Sequence, residues 1–256
     1  MRISPLIRKL EQFTSLSEND KLRLECAAGE QLDYAPKQDV ICQGDRPDHV
    51  HLLIEGWACR YKILHNGNRQ IMAYLIPGDL CDVHVTLLDA MDHSIGALSA
   101  CKILMFPKAD LADLMLENPQ ILRALWWSTL VDEAILREWL VNVGGRPSEK
   151  RLGHLICEMI HRAGAVGLTT DNTFEMPLTQ EELADTMGMS AVHMNRCFHT
   201  LRAEGLISTD ARRILIHDLE RLIAFSGFDP AYLHQVRVVS AQPTHTQMGN
   251  VRNRQY

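Results

Sequence analysis

Hydrophobic and polar positions follow two different periods along this chain. Between residues 33 and 106, short apolar runs at 49–55, 57–64, 70–75 and 102–106 are separated by turn residues. The turns are Gly44-Asp45, Glu55-Gly56, Asn66-Gly67-Asn68 and Pro77-Gly78-Asp79. Short strands at this spacing predict a small antiparallel barrel or sandwich. Asn66-Gly67 marks a hairpin, because its turn needs residues that tolerate positive φ.

From Lys108 onward the period becomes helical. Asn118-Pro119 opens a stretch over 120–143 with no internal Gly or Pro. Its apolar residues include Ile121, Leu122, Leu125, Trp126, Leu130, Ile135, Leu136, Trp139 and Leu140, which cover more than one face. One strand domain can cover only one face, so the second predicts a partner, most simply the same helix of another subunit. Leu122, Leu125, Trp126, Leu130, Leu136, Trp139 and Leu140 are the expected dimer contacts. A helix wrapped by its own chain is the alternative. Gly144-Gly145-Arg146-Pro147 is expected to break the helix as a hinge, and a further helix is expected over 149–162, ending at Gly164.

Residues 177–207 carry the densest signal. Thr179 with Glu182 fits a capping box, and Leu183, Ala184 and Met187 give a short helix its apolar face. Gly188 allows a tight turn, and Ser190 can cap a second helix. The inner face of that helix is Val192 or Met194 with Phe198 and Leu201, and Gly205 ends it. This is a helix-turn-helix, whose second helix enters a DNA major groove. Residues 206–208 and 214–216 can pair across Asp210-Ala211-Arg212, which adds a wing. Arg212 and Arg213 then stand at the wing as phosphate contacts. Ser190, Ala191, Val192, His193, Asn195 and Arg196 open the second helix, where side chains reach base edges. Thr179 and Gln180 open the first, where backbone N–H groups can hold a phosphate.

Composition changes this picture little. The 256 residues are 46% hydrophobic and 23% charged, ordinary globular usage that excludes a mostly disordered or fibrous chain. No apolar run is long enough to cross a bilayer, and the start lacks the apolar region of a secretory signal, so a cytoplasmic protein is expected. The net charge of −6 excludes a basic nucleic-acid coat. From Arg146 on, however, 12 basic and 12 acidic residues balance, which leaves room for a local basic face. The tail at 236–256 is polar and expected to be disordered.

The residues at Gly44-Asp45, Leu53-Ile54-Glu55-Gly56, Pro77-Gly78-Asp79, the long helix after Asn118-Pro119 and 179–207 together carry a resemblance. Over about residues 15–218 the chain resembles the cyclic-AMP receptor protein and fumarate–nitrate regulator (Crp/Fnr) family of bacterial transcription factors. The resemblance implies an α+β protein: an N-terminal antiparallel β-roll, jelly-roll-like, then a long dimerisation helix and a C-terminal winged helix-turn-helix. The expected division is 1–117 for a cyclic-nucleotide-binding-like sensor, 118–145 for the dimerisation helix and hinge, and 146–235 for the DNA-binding domain. The implied function is a homodimeric transcription regulator on a pseudo-palindromic operator, with double-stranded DNA, a second copy and RNA polymerase as partners and no membrane. A winged helix serving as a protein-interaction module is the alternative.

The resemblance also assigns Arg196 to the family's guanine-reading arginine, whose fork fits O6 and N7 together. Where many members carry an acidic base reader, this chain has Val192, so its half-site is expected to depart from the common one. Members that bind cyclic nucleotides use a Gly-Glu pair and an Arg-Ser or Arg-Thr pair around the phosphate. Those positions hold Asp82-Val83 and Met91-Asp92 here, and the adenine-contacting pair falls at Leu136 and Arg137. A phosphate would meet like charge and no guanidinium, so cAMP is disfavoured. An iron–sulfur cluster is disfavoured too, because only Cys26 precedes the roll.

No cofactor and no metal are assigned. The seven cysteines are scattered without a Cys-x-x-Cys pair and are expected to be reduced and mostly core. Haem sensing would need an axial ligand such as His49, His51, His65 or His84, and nothing singles one out. His154, Cys157 and His161 share a helix face, and His49 and His51 a strand face; both read as ordinary packing positions. No phosphate loop, zinc-protease His pair or Gly-x-Ser-x-Gly elbow is present, so the chain is not expected to be an enzyme.

Overall fold

A computed structural model describes residues 1–235; the expected tail lies outside the described residues. The N-terminal half holds seven strands: β1 (Gln31–Tyr34), β2 (Asp39–Ile41), β3 (His49–Glu55), β4 (Ala58–Ile63), β5 (Arg69–Leu75), β6 (Ser94–Ala97) and β7 (Cys101–Pro107). They form two antiparallel sheets, in the orders β1-β7-β3 and β2-β6-β4-β5. Leu52, Leu53, Ile103 and Leu104 of the first sheet share one core with Ala58, Leu75, Ile95 and Ala97 of the second. Each large side chain so buried contributes roughly 1.5–3 kcal/mol. The fold is α+β, as expected.

The turn residues act where the sequence placed them. Asn66 Oδ1 accepts from Asn68 N at 3.0 Å, and Gly67 sits at φ 82°, closing the β4–β5 hairpin. Gly56, at φ 88°, lets β3 pass into β4 beside Ala100, whose carbonyl oxygen would lie 2.1 Å from any added Cβ. Only glycine fits there on both counts.

Helices α1 (Ser4–Leu10) and α2 (Glu18–Ala27) precede the roll. Leu6, Ile7 and Leu10 bury one side of α1 in the roll core. Helices α3 (Lys108–Glu117) and α4 (Pro119–Gly145) follow it. Helix α4 runs through Gly144 and Gly145 rather than breaking there. It stops at Arg146, which is extended at ψ 146° because Pro147 excludes a helical residue before it.

The two faces of α4 are real but divided differently from the expectation. Ile121, Ala124, Leu125, Val131, Ala134, Ile135 and Trp139 are buried in this chain. Leu122, Trp126, Leu130, Leu136 and Leu140 are exposed. Leu125 and Trp139, expected as dimer contacts, are therefore core residues of their own chain, with 1% and 7% of their surface exposed. Helical spacing places each three or four residues from other inward positions, an assignment that the sequence alone left open.

The C-terminal half comprises α5 (Ser148–Ala165), β8 (Thr169–Thr170), β9 (Thr173–Glu175), α6 (Gln180–Met187), α7 (Ala191–Ala203), β10 (Ile207–Asp210), β11 (Arg213–Ile216) and α8 (Leu219–Ser226). The β10–β11 wing belongs to a four-stranded sheet ordered β10-β11-β9-β8. The β8–β9 hairpin was not expected; it turns on Asp171 and Asn172, both at positive φ. Helix α8 packs on α5 through Leu222 and Ser226, both of which lie against Gly153, with Ser226 the nearer.

Candidate nucleic-acid interface

Two caps set the geometry of the helix-turn-helix. The Thr179 hydroxyl accepts from Glu182 N at 3.1 Å, and Thr179 N donates to Glu182 Oε2 at 2.8 Å. Gly188 closes α6 in the left-handed region at φ 63°, which turns the chain towards Ser190. The Ser190 hydroxyl then accepts from His193 N at 3.2 Å and starts α7. Such caps satisfy backbone donors that a helix start leaves unpaired.

Helix α7 buries Met194, Cys197, Phe198 and Leu201. Met194 is thus the inward residue, while Val192 is 67% exposed. The opposite face presents Ala191, Val192, His193, Asn195 and Arg196 to solvent. These candidates are not equivalent. The His193 ring hydrogen-bonds the Ser148 hydroxyl at 2.9 Å, and Asn195 Nδ2 donates to Gln180 Oε1 at 3.1 Å. The Arg196 guanidinium makes no hydrogen bond or ion pair among the described residues, and is left to meet an acceptor from outside. Arg212 and Arg213 are exposed beside Ala211, the left-handed residue of the wing turn.

A network that the sequence did not reveal joins this domain to the roll. Asp79, of Pro77-Gly78-Asp79, accepts from Lys9 Nζ at 2.8 Å through Oδ1. Its Oδ2 accepts from Ile76 N at 2.8 Å and from Arg162 Nη2, on α5, at 2.9 Å. Burial would raise the Asp79 carboxyl, but the Lys9 and Arg162 charges outweigh it and hold it below the ordinary value. Arg162 also donates to Glu158 Oε1 at 3.2 Å and to the Tyr74 carbonyl at 2.9 Å. Glu158 is fully buried, and its Oε2 accepts from Trp139 Nε1 and the Tyr232 hydroxyl, both at 2.9 Å. Burial leads in raising its carboxyl, with Arg162 opposing. On the far side, Arg69 of β5 pairs with Asp185 of α6 at 2.9 Å, and the Tyr74 hydroxyl shares a hydrogen bond with Thr186.

Of the effector-domain residues, Arg60 reaches this network through Asp132, which lies 3.7 Å from Lys9. Arg60 donates to the carbonyls of Cys81 (3.0 Å) and Leu80 (3.1 Å) and to Asp132 of α4 (3.1 Å). Asp82 is fully buried and accepts from His51 N at 2.8 Å and from the His51 ring. Met91 is buried, while the Asp92 side chain is 75% exposed. The Asp92 carboxylate accepts from His93 Nδ1 at 2.6 Å. His84, on the 3₁₀ turn Val83–Thr86, stands with its ring centroid 5.5 Å from that of His93.

Of the cysteines, Cys26 and Cys42 are exposed and the other five buried. The His154, Cys157 and His161 face is filled from this chain: His154 is fully buried against Phe228 and Tyr232.

A β-roll on a long helix followed by a winged helix-turn-helix defines a DNA-binding regulator with a sensor-type domain. Two family profiles match: the cyclic nucleotide-binding domain over residues 31–118 and the Crp-like helix-turn-helix domain over residues 150–225. The chain belongs to the Crp/Fnr family of transcription regulators. It is 27% identical to the transcriptional activator protein FnrL of Cereibacter sphaeroides, over 77% of this chain and 80% of that protein. It is 24% identical to the nitrogen fixation regulation protein FixK of Bradyrhizobium diazoefficiens, over 78% of this chain and 83% of that protein. The fold matches the structure of FixK2 from Bradyrhizobium japonicum, with a TM-score of 0.70 and 20% identity over 77% of this chain and 96% of that one. No helix among the described residues is long and apolar enough to cross a membrane.

Proposed function

We propose that this protein acts as a cytoplasmic homodimeric transcription activator on a pseudo-palindromic operator, and that it needs no cyclic nucleotide. The observation that carries the DNA-binding part is the outer face of α7: capped by Ser190, seated on buried Met194 and Leu201, and carrying an exposed Arg196 that is unpaired among the described residues. A two-fold dimer presents two such helices, which fits half-sites about one helical turn apart. The exposed stripe of Leu122, Trp126, Leu130, Leu136 and Leu140 on α4 supports the dimer, since a seam of this kind gains stability by leaving water. The names of FnrL and its fellow activators support activation, which requires a contact with RNA polymerase.

The effector region supports a cAMP-independent regulator. Both Asp82 carboxylate oxygens already pair with His51, Arg60 is committed to two carbonyls and to Asp132, and Met91 is buried. The positions of the family's phosphate-binding Arg-Ser or Arg-Thr pair hold Met91 and Asp92, which supply no guanidinium. Of the adenine-contacting positions, Leu136 offers no hydrogen bond and Arg137 is paired with Glu133 at 2.7 Å.

Selection of duplexes from a random library with purified protein and no added ligand tests this reading. A two-fold symmetric motif is expected. Its binding should weaken steeply with salt as phosphate counterions are released. Enrichment that appears only with cAMP would overturn the ligand-free reading, and none under either condition would overturn DNA binding.

A further inference from the structure

Among the described residues, one group of metal-ligating side chains converges outside the DNA interface. His84, Asp92 and His93 each offer one ligand atom, and these atoms all lie within 4.8 Å of one another. Two features separate this group from an ordinary surface cluster. His93 is 7% exposed, and its Nε2 is buried with no hydrogen-bond partner. His84 Nε2 is buried and unpartnered as well. A buried polar atom without a partner costs free energy, and two of them facing one small region call for an occupant.

The tautomer follows from the neighbour. The Asp92 carboxylate accepts a hydrogen bond from the His93 Nδ1–H at 2.6 Å, which leaves Nε2 of the neutral ring with its lone pair free. A carboxylate behind an imidazole is the arrangement that orients a metal-binding histidine and raises its basicity. Asp92 is largely exposed, so it marks the entry side of the site.

We propose that the Nε2 atoms of His84 and His93 bind a single first-row divalent ion of the Zn²⁺ type, with Asp92 holding His93 from behind and water completing the shell. Two imidazole ligands suit such ions and not Mg²⁺ or Ca²⁺, which prefer oxygen. Tetrahedral ligands on Zn²⁺ stand about 3.3 Å apart, so the side chains close by an ångström or so on binding. The two ends of the segment 84–93 would thereby be clipped together. That segment follows Asp82, and the preceding Leu80 and Cys81 carbonyls hold Arg60, which reaches Asp132 on α4. The ion would therefore act on the network that joins the roll to α4 and, through Asp79 and Arg162, to α5; this consequence rests on the DNA-binding reading above.

Untagged, metal-free full-length protein is titrated with Co²⁺ and then Zn²⁺. One equivalent of Co²⁺ should bind with visible d–d absorption, and Zn²⁺ should displace it. His93→Gln and His84→Gln, read independently in case one fails to fold, should each weaken binding about 100-fold, and Asp92→Asn about 10-fold or more. His65→Gln, at an exposed histidine elsewhere, should leave it unchanged. Absence of stoichiometric binding, or binding indifferent to both histidine variants, would sink the site. Operator affinity is measured with and without Zn²⁺. A shift in wild type that disappears in His93→Gln supports sensing. Binding of the ion with no such shift overturns the sensing role alone, and no operator binding under either condition overturns the DNA-binding reading while the titration still judges the site.

Discussion

Arg162 of α5 and Asp79 of the roll form a 2.9 Å ion pair across the boundary between the two halves of the molecule. Both side chains are nearly buried, at 11% and 4% exposure, and neither is alone. Lys9 takes the other Asp79 oxygen and Glu158 the other Arg162 nitrogen. The DNA-binding domain is thus fastened to the sensor domain by a satisfied polar cluster next to an apolar one in which Trp57, Tyr74 and Trp139 touch edge to face.

Removing one partner of that pair should be expensive. Asp79→Ala strands the Arg162 and Lys9 charges in a water-poor site and is expected to destabilise the protein by about 3–5 kcal/mol. Equilibrium urea unfolding of wild type and variant measures it. A loss of under about 1 kcal/mol, the range of surface pairs, would show that the cluster is not closed.

Charge on the exposed stripe of α4 should break the dimer. Trp126→Glu combined with Leu130→Glu is expected to raise the dimer dissociation constant at least ~10-fold, since each lost apolar burial is worth about 1.5–3 kcal/mol and 1.4 kcal/mol is a factor of ten. Sedimentation velocity over a concentration series reads the change. Leu125→Ala is the contrasting case: it should lower stability by about 2–5 kcal/mol, because its side chain fills this chain's own core.

At the interface, Arg196→Ala should cost about 1–3 kcal/mol on a selected operator and relax the preference at one base pair. Val192→Glu should change which base is preferred, because a carboxylate accepts from cytosine N4 whereas valine touches a thymine methyl. Competitive binding against single-base operator variants separates the two effects. Unchanged affinity and specificity in Arg196→Ala would reassign the reading face.

Acid should weaken the protein partly through His154. Burial, helped by the Arg146 charge and opposed by Glu138, pushes its pKa down to about 4. The unfolded chain takes up the proton near the ordinary value of about 6.5, and the folded one does so only near 4. Its contribution is therefore fully present above pH ~6.5, is lost as pH falls towards 4, and changes no further below that. Thermal melts from pH 7.5 to 4 should show a decline over that window that is shallower in His154→Gln.

The sequence by itself determined the local elements and their order. Glycine and asparagine turns marked the strands of the roll, and Thr179, Gly188 and Ser190 marked the helix-turn-helix, because caps and positive-φ turns depend on residues a few positions apart. Two faces on α4 were legible from spacing for the same reason. Which face is which was not: Leu125 and Trp139 turn inward while Leu122, Trp126 and Leu130 stay exposed, and only the packing of the roll and of α5 against α4 decides that. The role of Val192 against Met194 was likewise settled by the helix on which α7 rests. The Asp79–Arg162 bridge and the meeting of His84 with His93 are also tertiary. They depend on distances between segments 83 and 9 residues apart along the chain, and no periodicity encodes a contact that the chain must fold back to make.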